Sequence, residues 1–229
     1  MSSNIELMRK AVSAASPAID FGKAALLVID MQEYQTREGS ITNFYRMISP
    51  SITDYYLERV SSIAEPNVIR VFNQFRAEDA PVIFTKYASA KNDDSDLAQY
   101  CIEGNKFFKE LSGEPIIPHI DSRAASLTSA FEPQKGELLL QKSRSGAFIN
   151  TPLDELLREK GVEQVVVVGV LTHACVENTV RVALDLGYSV FVVEDACATL
   201  DASLHEHSIA AMEVLNANII NTSTVVTAE

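Results

Sequence analysis

Three features of the 229-residue chain predict a doubly wound α/β protein, with a mostly parallel open sheet and helices on both faces. Two apolar runs lack alternation, AALLVID at 24–30 and QVVVVGV at 164–170, and read as strands buried on both faces. Segments of helical period separate the strand-like runs, which makes the connections right-handed βαβ crossovers. No internal repeat, low-complexity tract or long Pro/Gly/Ser linker divides the pattern.

The elements follow in order. After the strand at 24–30, residues 57–78 carry Leu57, Val60, Ile63, Ile69, Phe72 and Phe75 as a helical stripe. Pro66 interrupts that stripe and can open a second helix. Short strands are expected at 81–86 (PVIFTK) and 137–141 (ELLLQ). A helix is expected over 152–160, with Thr151 as N-cap, Pro152 at its first position and Gly161 ending it. Beyond the strand at 164–170, residues 174–186 place Val176, Val180, Ala183 and Leu184 on one helical face, closed by Gly187. A strand at 189–194, a helix at about 203–216 and a last strand around Ile219 and Ile220 complete the series. Residues 35–56 and 88–134 fit it poorly and are expected to carry short helices or lid-like loops that shape specificity or assembly. Residues 23–229 are expected to form one domain, and residues 1–22 a helical arm or a tail.

Composition narrows the function. Nineteen Lys+Arg against 31 Asp+Glu give a net charge of −12, which repels phosphate backbones and anionic membrane surfaces. Neither nucleic acid nor membrane is expected as a partner, whereas a small anion in a locally positive pocket stays possible. The three cysteines, Cys101, Cys175 and Cys197, form no disulfide framework, CxxC pair or zinc-spaced cluster. No GxGxxG or GxxxxGK[ST] follows a strand, so a nucleotide-binding reading has little support. The N-terminal MSSNIELMRK lacks the apolar core of a signal peptide, and a cytoplasmic location is expected.

In open α/β sheets ligands bind beyond the carboxyl ends of the strands. Three reactive side chains fall there: Asp30, Lys142 and Cys175. A free thiol has a pKa of about 8.5. A helix N-terminus and a nearby ammonium can lower it to about 3.5–7.5. Asp30 can take the thiol proton and return it to a leaving amine, while Lys142 holds the carboxylate. Taken singly, each residue also has an ordinary reading: a buried small hydrophobe, a turn or cap residue, a solvated lysine. The convergence of three strand ends favours chemistry.

The segments AALLVIDMQ (24–32), KSRSGAFINTPLDELL (142–157) and GVLTHACVENTVRVALDLGYSVFVVEDA (169–196) resemble the isochorismatase-like cysteine hydrolase family. The resemblance spans about 24–220 and rests most on GVxTxxCVxxT with the downstream GY and EDA. It implies a Rossmann-like fold and a homo-oligomer, dimer or tetramer. The family's catalytic acid, lysine and nucleophile fall on Asp30, Lys142 and Cys175. It also implies a cis peptide at Val170–Leu171, with the amides of Leu171 and Cys175 as the oxyanion hole.

True isochorismatases work without the cysteine, so Cys175 argues against that activity. Nicotinamidases carry a metal held by an Asp-x-His pair and a further histidine after the second strand. Here that stretch reads TKYASAKNDDSD (85–96), and only His119, beside Asp121, follows. The resemblance therefore points to the metal-independent amidohydrolases for N-carbamoylsarcosine, ureidoacrylate, biuret and streptothricin, with no cofactor. The expected activity is cleavage of a small amide, ureido or carbamoyl C–N bond through a thioester. The alternatives are an idle binding or scaffold protein of the same fold, or a nicotinamidase-like amidase.

Further candidates for substrate contact are Tyr34, Gln35, Phe148 and His173. Each has a structural reading beside it: surface loop for Tyr34 and Gln35, packing under the site for Phe148, a subunit contact for His173. Arg144 meets a substrate carboxylate or is solvated. Phe44, Tyr45, Tyr55 and Tyr56 form either a contact patch between subunits or part of the core.

Overall fold

The computed structural model describes residues 18–226. The proposed arm at 1–22 lies mostly outside those residues. Six strands are present, β1 (Ala24–Ile29), β2 (Val82–Tyr87), β3 (Leu138–Lys142), β4 (Gln164–Val170), β5 (Ser189–Ala198) and β6 (Asn218–Ile220). They form one sheet in the order β3-β2-β1-β4-β5-β6. Every neighbouring pair is parallel. This is the doubly wound arrangement, and its strand order reverses between β1 and β4.

The two central strands show why their sequences do not alternate. Ala25, Leu27 and Ile29 enter one apolar cluster with Val165 and Val167. Ala24, Leu26 and Val28 enter the other with Val166, Val168 and Val170. Both faces are covered, so every position must be apolar.

The helices are α1 (Ser40–Ile48), α2 (Pro50–Arg59), α3 (Glu65–Ala77), α4 (Gln99–Ser112), α5 (Leu153–Glu159), α6 (Glu177–Asp185) and α7 (Ala202–Val214). On one face Cys101, Leu153, Leu157, Val180, Ala183, Ile209 and Met212 bring α4, α5, α6 and α7 against the sheet. On the other, Tyr56, Val68, Val71, Phe72 and Phe75 do the same for α2 and α3.

Three local features refine the expectations. The helical stripe at 57–78 is not broken at Pro66, because a π turn at Val60–Ala64 joins α2 to α3 and Glu65 N–H reaches back to Val60 O. That wider turn places the proline, which has no N–H to donate, in the first turn of α3. The segment at 35–56 is mostly helical, as α1 and the start of α2. The third feature is the chain around Cys175, which begins as a π turn, Thr172–Val176, before α6 takes over.

Gly169 shapes the junction of β4 with β1. Its φ is 114°, and a Cβ there would lie 2.1 Å from Ile29 O. Only glycine permits this approach, which draws the end of β4 against the residue preceding Asp30.

Candidate active site

Asp30 follows β1 with φ 51°, in the left-handed region that aspartate tolerates better than most residues. Thr85 of β2 fixes it from both ends. The Thr85 hydroxyl donates to Asp30 Oδ1 at 2.6 Å, and Asp30 N–H donates to Thr85 Oγ1 at 3.1 Å.

Lys142 closes β3, which is separated from β1 by β2. At about 4.8 Å per strand that is roughly 10 Å, a gap that the lysine and aspartate side chains span together. Register places Lys142 beside Tyr87. Its ammonium passes 4.3 Å from the centre of the Tyr87 ring. It ends 2.7 Å from Asp30 Oδ2, and both side chains are 0% exposed. The same ammonium donates to Ser145 O at 2.9 Å and Arg144 O at 3.1 Å. Burial works against this cation, but Asp30 and Cys175 outweigh it and hold its pKa above the ordinary lysine value.

Cys175 is buried on the π turn after β4. Its thiol lies close enough to the Asp30 carboxylate for the two to interact electrostatically. The Ser145 hydroxyl donates to Cys175 Sγ at 3.6 Å and itself accepts from Asn178 Nδ2 at 2.9 Å. The expected lowering of the thiol pKa is not found. Burial, reinforced by Asp30, pushes it up to about 12 against the opposing pull of Lys142 and Ser145. Lys142, the cation that opposes this rise, is itself paired with Asp30.

A cavity of about 330 Å³ opens above Cys175. It falls at the small end of the range for small-molecule sites. Tyr34, Gln35 and His173 line it, as do Leu171 and Cys175. The Val170–Leu171 peptide is cis. The Tyr34 hydroxyl donates to Tyr87 O and accepts from Gln35 Nε2. His173 Nδ1 pairs with the Thr199 hydroxyl. Burial lowers the His173 pKa despite Glu177 and Asp201.

Phe148 is placed differently. It does not line the cavity, because its ring stacks on Tyr188 at 6.0 Å within the apolar cluster on one sheet face. Arg144 is half-buried, donates to Ser143 O and also lies outside the lining.

Several lining residues escaped sequence reasoning: Ser145, Tyr87, Cys101 and Ile117. Cys101 shares a 3.2 Å contact with the Tyr87 hydroxyl. Thr85, the clamp on Asp30, was also missed. Its only signal was its place two residues before Tyr87 on a strand adjacent to β1. A second cleft, of about 260 Å³, lies at the other end of the strands, between Pro81 and Gly136. It has none of the three reactive side chains.

The residues after β2 do not fit a metal. Asp94 is held by Asn105 and Lys109, and Asp96 by Ser89 and the Ala90 N–H. His119 has Asp121 as its neighbour, with 3.6 Å between Nδ1 and the carboxylate. Among the described residues no group of three or more His, Cys, Asp or Glu side chains is placed to hold an ion. Among them, too, no helix is long and apolar enough to cross a membrane.

Fold and site together define a small-molecule hydrolase built on a doubly wound parallel sheet. The chain belongs to the isochorismatase family of hydrolases: the Isochorismatase domain profile matches residues 24–224. It is 30% identical over 184 residues to Nicotinamidase 3 of Arabidopsis thaliana, covering 80% of this chain and 77% of that one. It is 43% identical over 70 residues to the ureidoacrylate amidohydrolase RutB of Klebsiella pneumoniae, covering 31% and 30% of the two chains. A crystal structure described as a cysteine hydrolase from Pseudomonas syringae pv. phaseolicola has the same fold, with a TM-score of 0.74 at 20% identity over 93% of this chain and 97% of that one.

Proposed function

We propose that this protein hydrolyses the C–N bond of a small amide with Cys175 as nucleophile, and that residues 23–229 form its single hydrolase domain. The observation that carries the reading is a buried Asp30–Lys142 ion pair set beside Cys175, which opens on a small-molecule cavity.

The steps follow from the geometry. Asp30 accepts the thiol proton as sulfur attacks the carbonyl carbon, forming a C–S bond. Transfer of this proton accompanies the attack. Lys142 stays protonated and offsets the negative charge as it leaves the carboxylate for the carbonyl oxygen. The oxyanion is assigned to the amides of Leu171 and Cys175, whose residues line the cavity. The C–N bond then breaks, and Asp30 gives its proton to the departing nitrogen. Water enters, loses a proton to Asp30 and adds to the thioester. The C–S bond breaks, leaving the acid product and the thiol.

Ammonia release from a panel of small amides tests this. Cys175→Ser is expected to lose at least about 1,000-fold in kcat, as nucleophile removal does elsewhere. Turnover close to wild type in that variant overturns the assignment.

Similarity to Nicotinamidase 3 supports a nicotinamidase-like amidase as a second reading. The engaged carboxylates after β2 do not supply a metal site for it.

A further inference from the structure

We propose that the cavity selects a neutral amide with an aromatic or branched aliphatic body and rejects substrates that carry a carboxylate, ureido acids included. This rests on the hydrolase reading and narrows its substrate class.

Charge is the first argument. Among the described residues that line the cavity there is no Lys, Arg, Asp or Glu. Lys142 lies outside that lining, and its ammonium already donates to Arg144 O and Ser145 O and is ion-paired with Asp30. Its charge is also cancelled by Asp30, which would repel a second carboxylate.

Two of the neutral polar side chains are engaged as well. The Asn105 side chain reaches the cavity, yet its amide nitrogen is bound to Asp94 and Ile117 O, and its oxygen accepts from Ile117 N. His173 is kept uncharged by burial, with Nδ1 occupied by Thr199. Arg144 is within electrostatic reach of Tyr100 but outside the lining.

Shape and polarity are the second argument. Ile41, Phe44 and Tyr45 of α1 form one wall, faced by Ile116 and Ile117 beyond α4. Phe44 is held edge-on against Phe108 at 5.7 Å, which gives the wall a fixed aromatic surface. Burial keeps the Tyr34 and Tyr45 hydroxyls protonated far above neutral pH. Such a site gains by burying an apolar acyl group and loses by stripping water from a carboxylate for which its lining holds no cation.

Matched amide pairs that differ by one carboxylate test the inference: benzamide against 4-carboxybenzamide, and isobutyramide against HOOC–CH2–CH(CH3)–CONH2, with N-carbamoylsarcosine and ureidoacrylate alongside. Wild type is expected to prefer the neutral member by at least about 100-fold in kcat/KM. Ile41→Arg, which adds a cation to the half-buried wall, is expected to shrink that preference at least about tenfold. Equal or faster release from the carboxylated members, still abolished by Cys175→Ser, overturns the inference and leaves the hydrolase standing. Loss of that release in Arg144→Ala would name the cation responsible. Release from neither class overturns both readings.

Discussion

Below Cys175 the site is ionised, enclosed and tied to strand ends, whereas above it the walls are uncharged, aromatic and carried by helices. Asp30, Lys142 and Thr85 come from β1, β3 and β2, and each is fixed by a partner on another strand. Ile41, Phe44, Tyr45 and Tyr100 come from α1 and α4, which pack outside the sheet. A rigid parallel sheet holds reacting groups in register, and the connections beyond it are free to vary with the ligand. The comparison teaches that changes to the floor act on bond breaking and changes to the walls act on choice of substrate.

The largest effect should come from splitting the floor. Lys142→Met leaves the Asp30 carboxylate buried without its cation, at a cost of about 3–5 kcal/mol in stability. Its kcat should fall at least about 100-fold. Asp30→Asn keeps the shape but cannot accept the thiol proton, and should be as inactive while more stable than Lys142→Met. Urea unfolding with ammonia release on the same samples checks both. A fully active Asp30→Asn would break the distinction between floor and walls.

A wall change should behave differently. Phe44→Leu trims the aromatic surface without touching the ionised set, and should raise KM for an aromatic amide about tenfold while kcat holds. Equal falls in kcat for Phe44→Leu and the floor variants would erase the comparison.

The third effect is smaller and lies behind the nucleophile turn. His205 on α7 accepts from Arg59 at Nε2, 3.0 Å away, so Nδ1 carries the proton and donates to the Thr172 hydroxyl at 3.0 Å. Burial, with Arg59 adding to it, lowers the His205 pKa from 6.5 to about 4. Between those values the unfolded chain binds a proton that the folded chain refuses. Stability from this group is therefore complete above pH 6.5 and is lost as pH falls toward 4. Thermal melts of wild type against His205→Asn should show the wild type losing more stability over that window. Parallel profiles would mean that His205 titrates normally.

How far the sequence revealed these two regions follows from the physics of each. The floor was readable because β1 and β4 are buried on both faces, and such runs end sharply at Asp30 and before the Thr172 turn. The walls were not. Helix α1 carries Ile41, Phe44, Tyr45 and Ile48 at helical spacing, yet the residues it buries are Ser40 and Thr42, so the apolar stripe does not say that this face lines a cavity rather than the core. Ser145 carries no local sign of its role, since its partner Cys175 is 30 residues away in sequence. Phe148 stood in an apolar stretch whose facing direction depends on Tyr188, 40 residues on. The π turn at Thr172–Val176, which opens the helical segment and carries Cys175, differs from an α turn by one residue of register, which no periodicity reveals.

Acid-quenched turnover of a neutral aromatic amide, followed by peptide mass spectrometry, tests the central claim most directly. The account predicts an acyl group of the substrate's mass on the peptide that carries Cys175, absent in Cys175→Ser and accumulating when attack by water is slowed. Hydrolysis at the wild-type rate with no acyl adduct at Cys175 under any quench, and with Cys175→Ser still active, would contradict it.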